Sequence, residues 1–264
     1  MSQHINTRYE LFSKGIFIDP MIQTSRLQSL VKMIQPKSCS HELIRLGANS
    51  DGGYLVPDDL DGIDACFSPG VDDIASFEQD LFNKYQIGSH LADFSVDEIP
   101  SGTLALSFTK KFLGANSYEH FISLEDWVDT HAPDASDDSL LLQMDIEGGE
   151  YETLLSCPAR ILSKFRIMVI EFHLIESWAQ ADFFRIVEAA FRKLLDTHYV
   201  IHNHPNNAMG IVELNGFHAP RVFELTFIKK SRTIAGGVAK LPHPMDFKNV
   251  DYMPDILLPA QWLD

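Results

Sequence analysis

The sequence predicts an α/β protein built on a mostly parallel sheet with helices on both faces. Three observations carry that expectation. From about residue 63 onward, short apolar runs alternate with amphipathic helical stretches, and such alternation implies βαβ units. The run "SLLLQMDIE" (139–147) is apolar through its middle on both pleat faces, as a strand covered on both sides must be. The last two strand signals follow each other with no helical stretch between them, so one strand should run antiparallel at an edge.

The elements follow in order. Residues 21–35 place Met21, Ile22, Leu27, Leu30, Val31 and Ile34 at helical spacing and stop at Pro36. "IDACFSPG" (63–70) reads as the first strand of the sheet. "DIASFEQDLFNKY" (73–85) reads as a helix with Ile74, Phe77 and Leu81 on one face and Asp72 or Asp73 as its cap. "SHLADFS" and "TLALSFTKKF" are the next strands, and "ISLEDWVDTHA" is a short helix. After the 139–147 strand come the helix "GEYETLLSC" and the strand "RIMVIEFHL". The strongest helix is "ADFFRIVEAAFRKLLDTH" (181–198), with Phe183, Phe184, Val187, Ala190, Phe191, Leu194 and Leu195 at 3–4 spacing. "YVIHNHPNN" and "RVFELTFIKK" are the final strands. The chain divides into an N-terminal helical arm (1–44), an α/β domain (45–230) and a Pro-containing C-terminal arm or lid (231–264).

Composition bounds the partners. The 264 residues are 45% hydrophobic and 22% charged, an ordinary globular balance. A net charge of −16 argues against nucleic acid and anionic membranes, which need a basic stripe. No apolar stretch approaches the roughly 18 residues that span a bilayer. The polar N-terminus shows no secretory signal. Cys39, Cys66 and Cys157 are scattered and suit a reducing compartment, so a cytoplasmic location is expected.

Ligands of doubly wound sheets sit beyond the carboxyl ends of the strands. After the first strand, Ser68, Pro69, Gly70 and Val71 lead toward a helix N-terminus; Gly70 would let a ligand approach the backbone. Roughly twenty residues on, Asp93 stands where an acid can accept both ribose hydroxyls. Asp145 and Glu147, then Glu171 and His173, then His202 and His204 follow three further strands. Carboxylates and imidazoles converging on one rim can act as general bases or hold a divalent metal through mixed nitrogen and oxygen ligands. The set expected for either role is Asp145, His173, His202 and His204. His202 and His204 should share one strand face. Asp51-Gly52-Gly53-Tyr54 is a turn signal that could fold over the strand ends.

With these pieces in order, the chain resembles the FkbM-like branch of S-adenosylmethionine-dependent methyltransferases. The resemblance runs from about residue 45 to 230. It rests on "RLGANSDGGYLVP", "FSPGVDDIASFEQDL", "SLEDWV", "LLQMDIEGGEYETLL", "HNHPNN" and "FELTFIKK", the fourth being its most specific block. The resemblance implies a seven-stranded Rossmann-like class I methyltransferase sheet with its last strand antiparallel. It also implies that S-adenosyl-L-methionine is the cofactor. Ser68, Pro69, Gly70 and Val71 would line its methionine part, and Asp93 would hold its ribose. Asp51, Gly52 and Gly53 would approach its carboxylate or amino end, with Glu78 facing the pocket. Asp145, Glu147 and His173 would face the methyl group and the acceptor, and Glu147 and Glu150 would begin a helix, Glu150 as a structural residue. Val71-Asp72-Asp73 stands where many methyltransferases carry a second glycine.

In-line methyl transfer to an alcohol needs a base within reach of the acceptor. His173 is the first choice, then His202 or His204. O-methylation of a hydroxyl on a small molecule or glycan is the leading expectation; the sequence leaves O against N, and the oligomeric state, open. A non-catalytic module that keeps the fold is the rival, and a rim rich in carboxylate and imidazole counts against it. A nicotinamide-dependent enzyme would want a G-x-G-x-x-G turn, which the first strand lacks.

Overall fold

The computed structural model describes residues 2–18, 20–71, 75–100 and 102–263, with residues 2–6 described in backbone only. Helices α1 (Ser2–Ser13) and α2 (Thr24–Met33) precede an antiparallel hairpin of β1 (Leu43–Gly47) and β2 (Gly53–Pro57). The sheet proper then begins with β3 (Ala65–Pro69), α3 (Ser76–Tyr85), β4 (Gly88–Ala92) and β5 (Ala105–Thr109). A short parallel pair, β6 (Phe112–Gly114) and β7 (Phe121–Ser123), leads into α4 (Leu124–His131). Next are β8 (Leu140–Met144), α5 (Glu150–Ser156), α6 (Ala159–Leu162), β9 (Phe165–Phe172), α7 (Ala181–Thr197) and β10 (His198–Pro205). The hairpin β11 (Ile211–Leu214) and β12 (Phe217–Pro220) separates β10 from β13 (Phe223–Lys229).

Seven strands form the central sheet in the order β10-β13-β9-β8-β3-β4-β5. All neighbours run parallel except β13, which is antiparallel to both β9 and β10. The expected α/β class, strand count and reversed last strand are therefore present. One expectation needs correction: the reversed strand is not at the edge. β13 is buried along almost its whole length and takes an inner slot, while β10, with its polar His-Asn-His run, takes the edge. That edge is covered, because Lys37 donates its backbone N–H to Val200 O (2.8 Å), which blunts an otherwise open row of pairing groups.

Both faces are packed. On one, α7 buries Phe184, Val187, Ala190, Phe191 and Leu194, the four larger side chains each contributing roughly 2 kcal/mol of hydrophobic stabilisation. Phe183 and Leu195 of the same stripe pack at its margin. On the other, Phe77 and Leu81 of α3 join Tyr54 and Val56 of β2 over Cys66, Leu141 and Ile167. The third member of the α3 stripe, Ile74, and the expected cap at Asp72 or Asp73 lie outside the described residues. α4 has a side-chain cap, the Ser123 hydroxyl accepting the Asp126 N–H. No described helix is long and apolar enough to cross a membrane.

His198, at the start of β10, is fully buried, with Nε2 2.9 Å from Phe165 O and Nδ1 2.8 Å from Thr197 Oγ1. Burial lowers its pKa to about 4. The neutral form is native, so its stability contribution is complete above the unfolded value near 6.5 and is lost as pH falls from there toward 4. Comparing denaturant unfolding at pH 6.5 and 5, the wild type should lose roughly 2 kcal/mol more than His198→Gln. Equal losses would contradict this assignment.

Candidate active site

A cavity of about 620 Å³ opens beyond the carboxyl ends of β3, β4 and β8. From the β4 side it is walled by Ala92, Asp93 and Ser95, and by Phe112, Leu113 and Phe121 of the β6–β7 pair. Hairpin residues Asp51, Gly52 and Tyr54 and α3 residues Phe77 and Glu78 close it from another side. Gly70 and Val71 after β3, and Gln143, Asp145 and Glu147 at the end of β8, complete the wall.

Gly70 is dictated by a close approach. Its φ is +83°, and a Cβ there would stand 1.5 Å from the Asp145 carbonyl oxygen, so only glycine lets the β3 loop cross the end of β8. Asp145 N–H donates to Pro69 O (3.2 Å), and Gly70 N–H to Ala92 O (2.9 Å), tying three strand ends together. Ser68 and Pro69 back the wall rather than line it. Ser68 Oγ lies 2.5 Å from Glu78 Oε1 and 2.7 Å from Gln143 Oε1. The one hydroxyl proton serves one of these oxygens at a time, and burial raises the Glu78 pKa while the Ser68 hydrogen bond opposes it. Gly53 closes the hairpin: a Cβ would meet Ala48 O at 1.8 Å.

Asp93 is held at the wall by Ser95, whose N–H and hydroxyl both donate to Oδ1 (2.7 and 2.6 Å). On the opposite side, His173 follows β9 and stands behind Asp145 and Glu147. Its Nδ1 is 3.0 Å from Glu150 Oε1. Its Nε2 points toward Asp145 Oδ1 (3.7 Å), Glu147 Oε2 (3.5 Å) and Glu171 Oε1 (3.9 Å). Burial would lower the imidazole pKa. The Glu150 hydrogen bond and the charges on Glu150, Asp145 and Glu147 outweigh it and raise the value. Burial raises Asp145 to about 7, with His173 opposing and Glu147, Glu150 and Asp51 adding. Asp145 Oδ1 is a buried oxygen with no hydrogen-bond partner among the described residues.

Two expectations change here. The helix begins at Glu150, not Glu147, and Glu147 adopts a left-handed φ of 55° in the turn ahead of it. Glu150 is fully buried and does more than cap: Oε1 accepts the Gly148 N–H (3.0 Å) and orients His173. His202 and His204 do share a strand face, as expected, but they are not brought to His173. Strand β13 lies between β9 and β10, and two strand spacings amount to roughly 10 Å. Both instead face Asp246 of the C-terminal segment, His202 Nε2 at 2.9 Å and His204 Nδ1 at 3.9 Å from Oδ1. Among the described residues, the group whose donor atoms converge within 4.8 Å is Asp145, Glu147 and His173; the expected metal set that included His202 and His204 is not assembled.

The sequence alone does not single out Ser95, Phe112, Leu113, Phe121 and Gln143 as lining residues. Ser95 carried a readable signal, since a serine two residues after an aspartate favours a local side-chain turn. The β6–β7 aromatics carried none, because three-residue strands leave no periodicity.

No family profile matches the chain, and no curated protein matches it. Among the solved structures that resemble it weakly in three dimensions are the following two. One is a fibrillarin/Nop5p complex, with TM-score 0.35 and 9% identity over 64% of this chain and 74% of that one. The other is Streptococcus pneumoniae Sp1610, assigned as a candidate tRNA (m1A22) methyltransferase, with TM-score 0.31 and 12% identity over 84% and 73%. Likenesses of this size carry no argument about activity.

In an NMR titration, the His173 ring should show a pKa above the ordinary 6.5, and Glu150→Gln should lower it by removing its largest raising contact. An unchanged value in the variant would show that Glu150 does not tune His173.

Proposed function

We propose that the protein is an S-adenosylmethionine-dependent methyltransferase that methylates a hydroxyl group of a small molecule or glycan. The observation that carries this reading is the charge of the cavity. Its wall presents the carboxyl groups of Asp51, Glu78, Asp93, Asp145 and Glu147, and no Lys or Arg among the described lining residues. A cofactor bearing a pyrophosphate would meet like charge on every side. A sulfonium and an ammonium meet partners, and the unpartnered buried Asp145 Oδ1 is the acceptor such a cation satisfies.

The remaining lining fits the same ligand. Val71, Phe112, Leu113 and Phe121 give an apolar slot for a purine beside Asp93, whose fixed carboxylate suits a ribose diol. Asp51 and Gly52 face the amino-acid end. When bound, S-adenosylmethionine supplies an electrophilic methyl group. This chain supplies alignment and a proton acceptor. An acceptor hydroxyl over Asp145 and Glu147 loses its proton to the Asp145–His173 pair, and Glu150 fixes the imidazole with Nε2 toward those two carboxyl groups. The same three side chains, Asp145, Glu147 and His173, would hold a divalent cation and lower the hydroxyl's pKa by coordination. The acidic wall and the −16 net charge disfavour a polyanionic acceptor.

Calorimetric titration of the purified protein with S-adenosylmethionine, with and without Mg²⁺ or Mn²⁺ and then with a chelator, tests the reading. Micromolar or tighter binding is the expected result, and binding that the chelator abolishes would add the metal. No binding under any of these conditions would contradict the proposal.

A further inference from the structure

The C-terminal segment beyond β13 reaches back across the rim and touches the hairpin that closes the cavity. Its Asn249 is buried, with 5% exposed. The Asn249 carbonyl accepts the Asp51 N–H (3.1 Å). The Asn249 side-chain Nδ2 donates to Glu224 Oε1 (2.7 Å) and reaches Asp51 Oδ1 (3.4 Å). One amide group therefore stands between two carboxylates that would otherwise face each other. Asp51 Oδ1 also accepts the Gly52 N–H (3.1 Å), so backbone and side chain of Asp51 are fixed together.

A second contact supports the same loop. Phe247 lies against the Arg45 guanidinium, 5.0 Å from ring centroid to charge centre. Arg45 in turn donates to Ala48 O (2.9 Å) and Ser50 O (3.1 Å). The far side of the loop is held by α3, through Ser76 Oγ to Gly52 O (2.9 Å) and Gly47 N–H to Asp80 Oδ2 (2.9 Å). The segment is itself registered by Asn207, whose side chain bonds Val250 O (2.8 Å) and Val250 N–H (3.0 Å). The "HPNN" block thus anchors the arm, Asn206 meanwhile donating to Glu171 Oε1 (2.8 Å).

We infer that Asn249 is a positioning residue for the cofactor's amino-acid end: the C-terminal segment completes the cavity by setting Asp51 through Asn249 and the 48–50 carbonyls through Phe247 and Arg45. The inference rests on the cofactor reading above. It assigns to residues 245–250 a role in recognising the ammonium-bearing end and none in recognising adenosine, which the β4 and β6–β7 walls contact.

Two ligands separate these ends: S-adenosylhomocysteine carries both, and 5′-methylthioadenosine lacks the amino-acid end. Binding of each to full-length wild type and Asn249→Ala should be measured by calorimetry. The variant should weaken S-adenosylhomocysteine about tenfold or more, the size of a lost hydrogen bond to a charged group, and change 5′-methylthioadenosine less than about twofold. Equal weakening of both ligands would overturn the inference by showing general damage to the fold, and so would no change in either. Wild-type protein that binds neither ligand would overturn the cofactor reading, and the inference with it. If Asn249→Ala does not fold, Phe247→Ala at its exposed position makes the same test: selective weakening of S-adenosylhomocysteine supports the inference, and unchanged selectivity overturns it.

Discussion

Burying carboxylates side by side is the constraint around which the rim of this protein is arranged. Glu171 and Glu224 are direct cross-strand neighbours on β9 and β13, and both are almost fully buried. Burial raises both pKa values, Glu224 to about 7. Asp145 follows the end of the next strand, β8, and Asp51 faces the group from the hairpin. In a poorly solvated setting such charges are costly unless hydrogen-bonded or neutralised. The protein answers with amides. Asn206 donates to Glu171 and Asn249 to Glu224, and Arg45 adds a half-buried positive charge nearby. Much of the irregular structure follows from supplying those donors: the turn after β10, the path of the C-terminal segment and the tight β1–β2 hairpin.

That arrangement also separates two imidazole groups that the sequence makes look alike. His173 follows β9 and stands behind the cavity-lining Asp145 and Glu147, with carboxylates near both ring nitrogens. His202 and His204 lie on the edge strand and hold the C-terminal segment through Asp246. The difference in their surroundings comes from where β13 is inserted. Placing β13 between β9 and β10 buries most of its side chains and moves the two histidines away from His173 and the cavity.

Strand-helix alternation and the buried runs were legible because both faces of a parallel sheet must be apolar, so β3, β4, β8 and β9 announce themselves. The acidic positions Asp93 and Asp145 were legible because strand ends point to the ligand side of such sheets. Strand order was not. Nothing in "RVFELTFIKK" says that it enters between β9 and β10, since that choice depends on the whole sheet. Glu150 was read as part of a helix start, which it is, but its bond to His173 joins positions 23 apart and has no local signature. The same holds for Asn249 and Asp51, 198 residues apart. Long-range polar contacts decide the chemistry of this rim and leave no periodic trace.

The rim gathers carboxyl groups that a cationic ligand, such as the proposed cofactor, would meet. At pH 7 groups raised to about 7, such as Asp145, are partly protonated, and an arriving cation favours their ionised forms. The most direct test is the proton balance of S-adenosylmethionine binding, measured by calorimetry at pH 7 in buffers of different ionisation enthalpy. The account predicts net proton release on binding. Binding with no proton exchange, or with proton uptake, would contradict it.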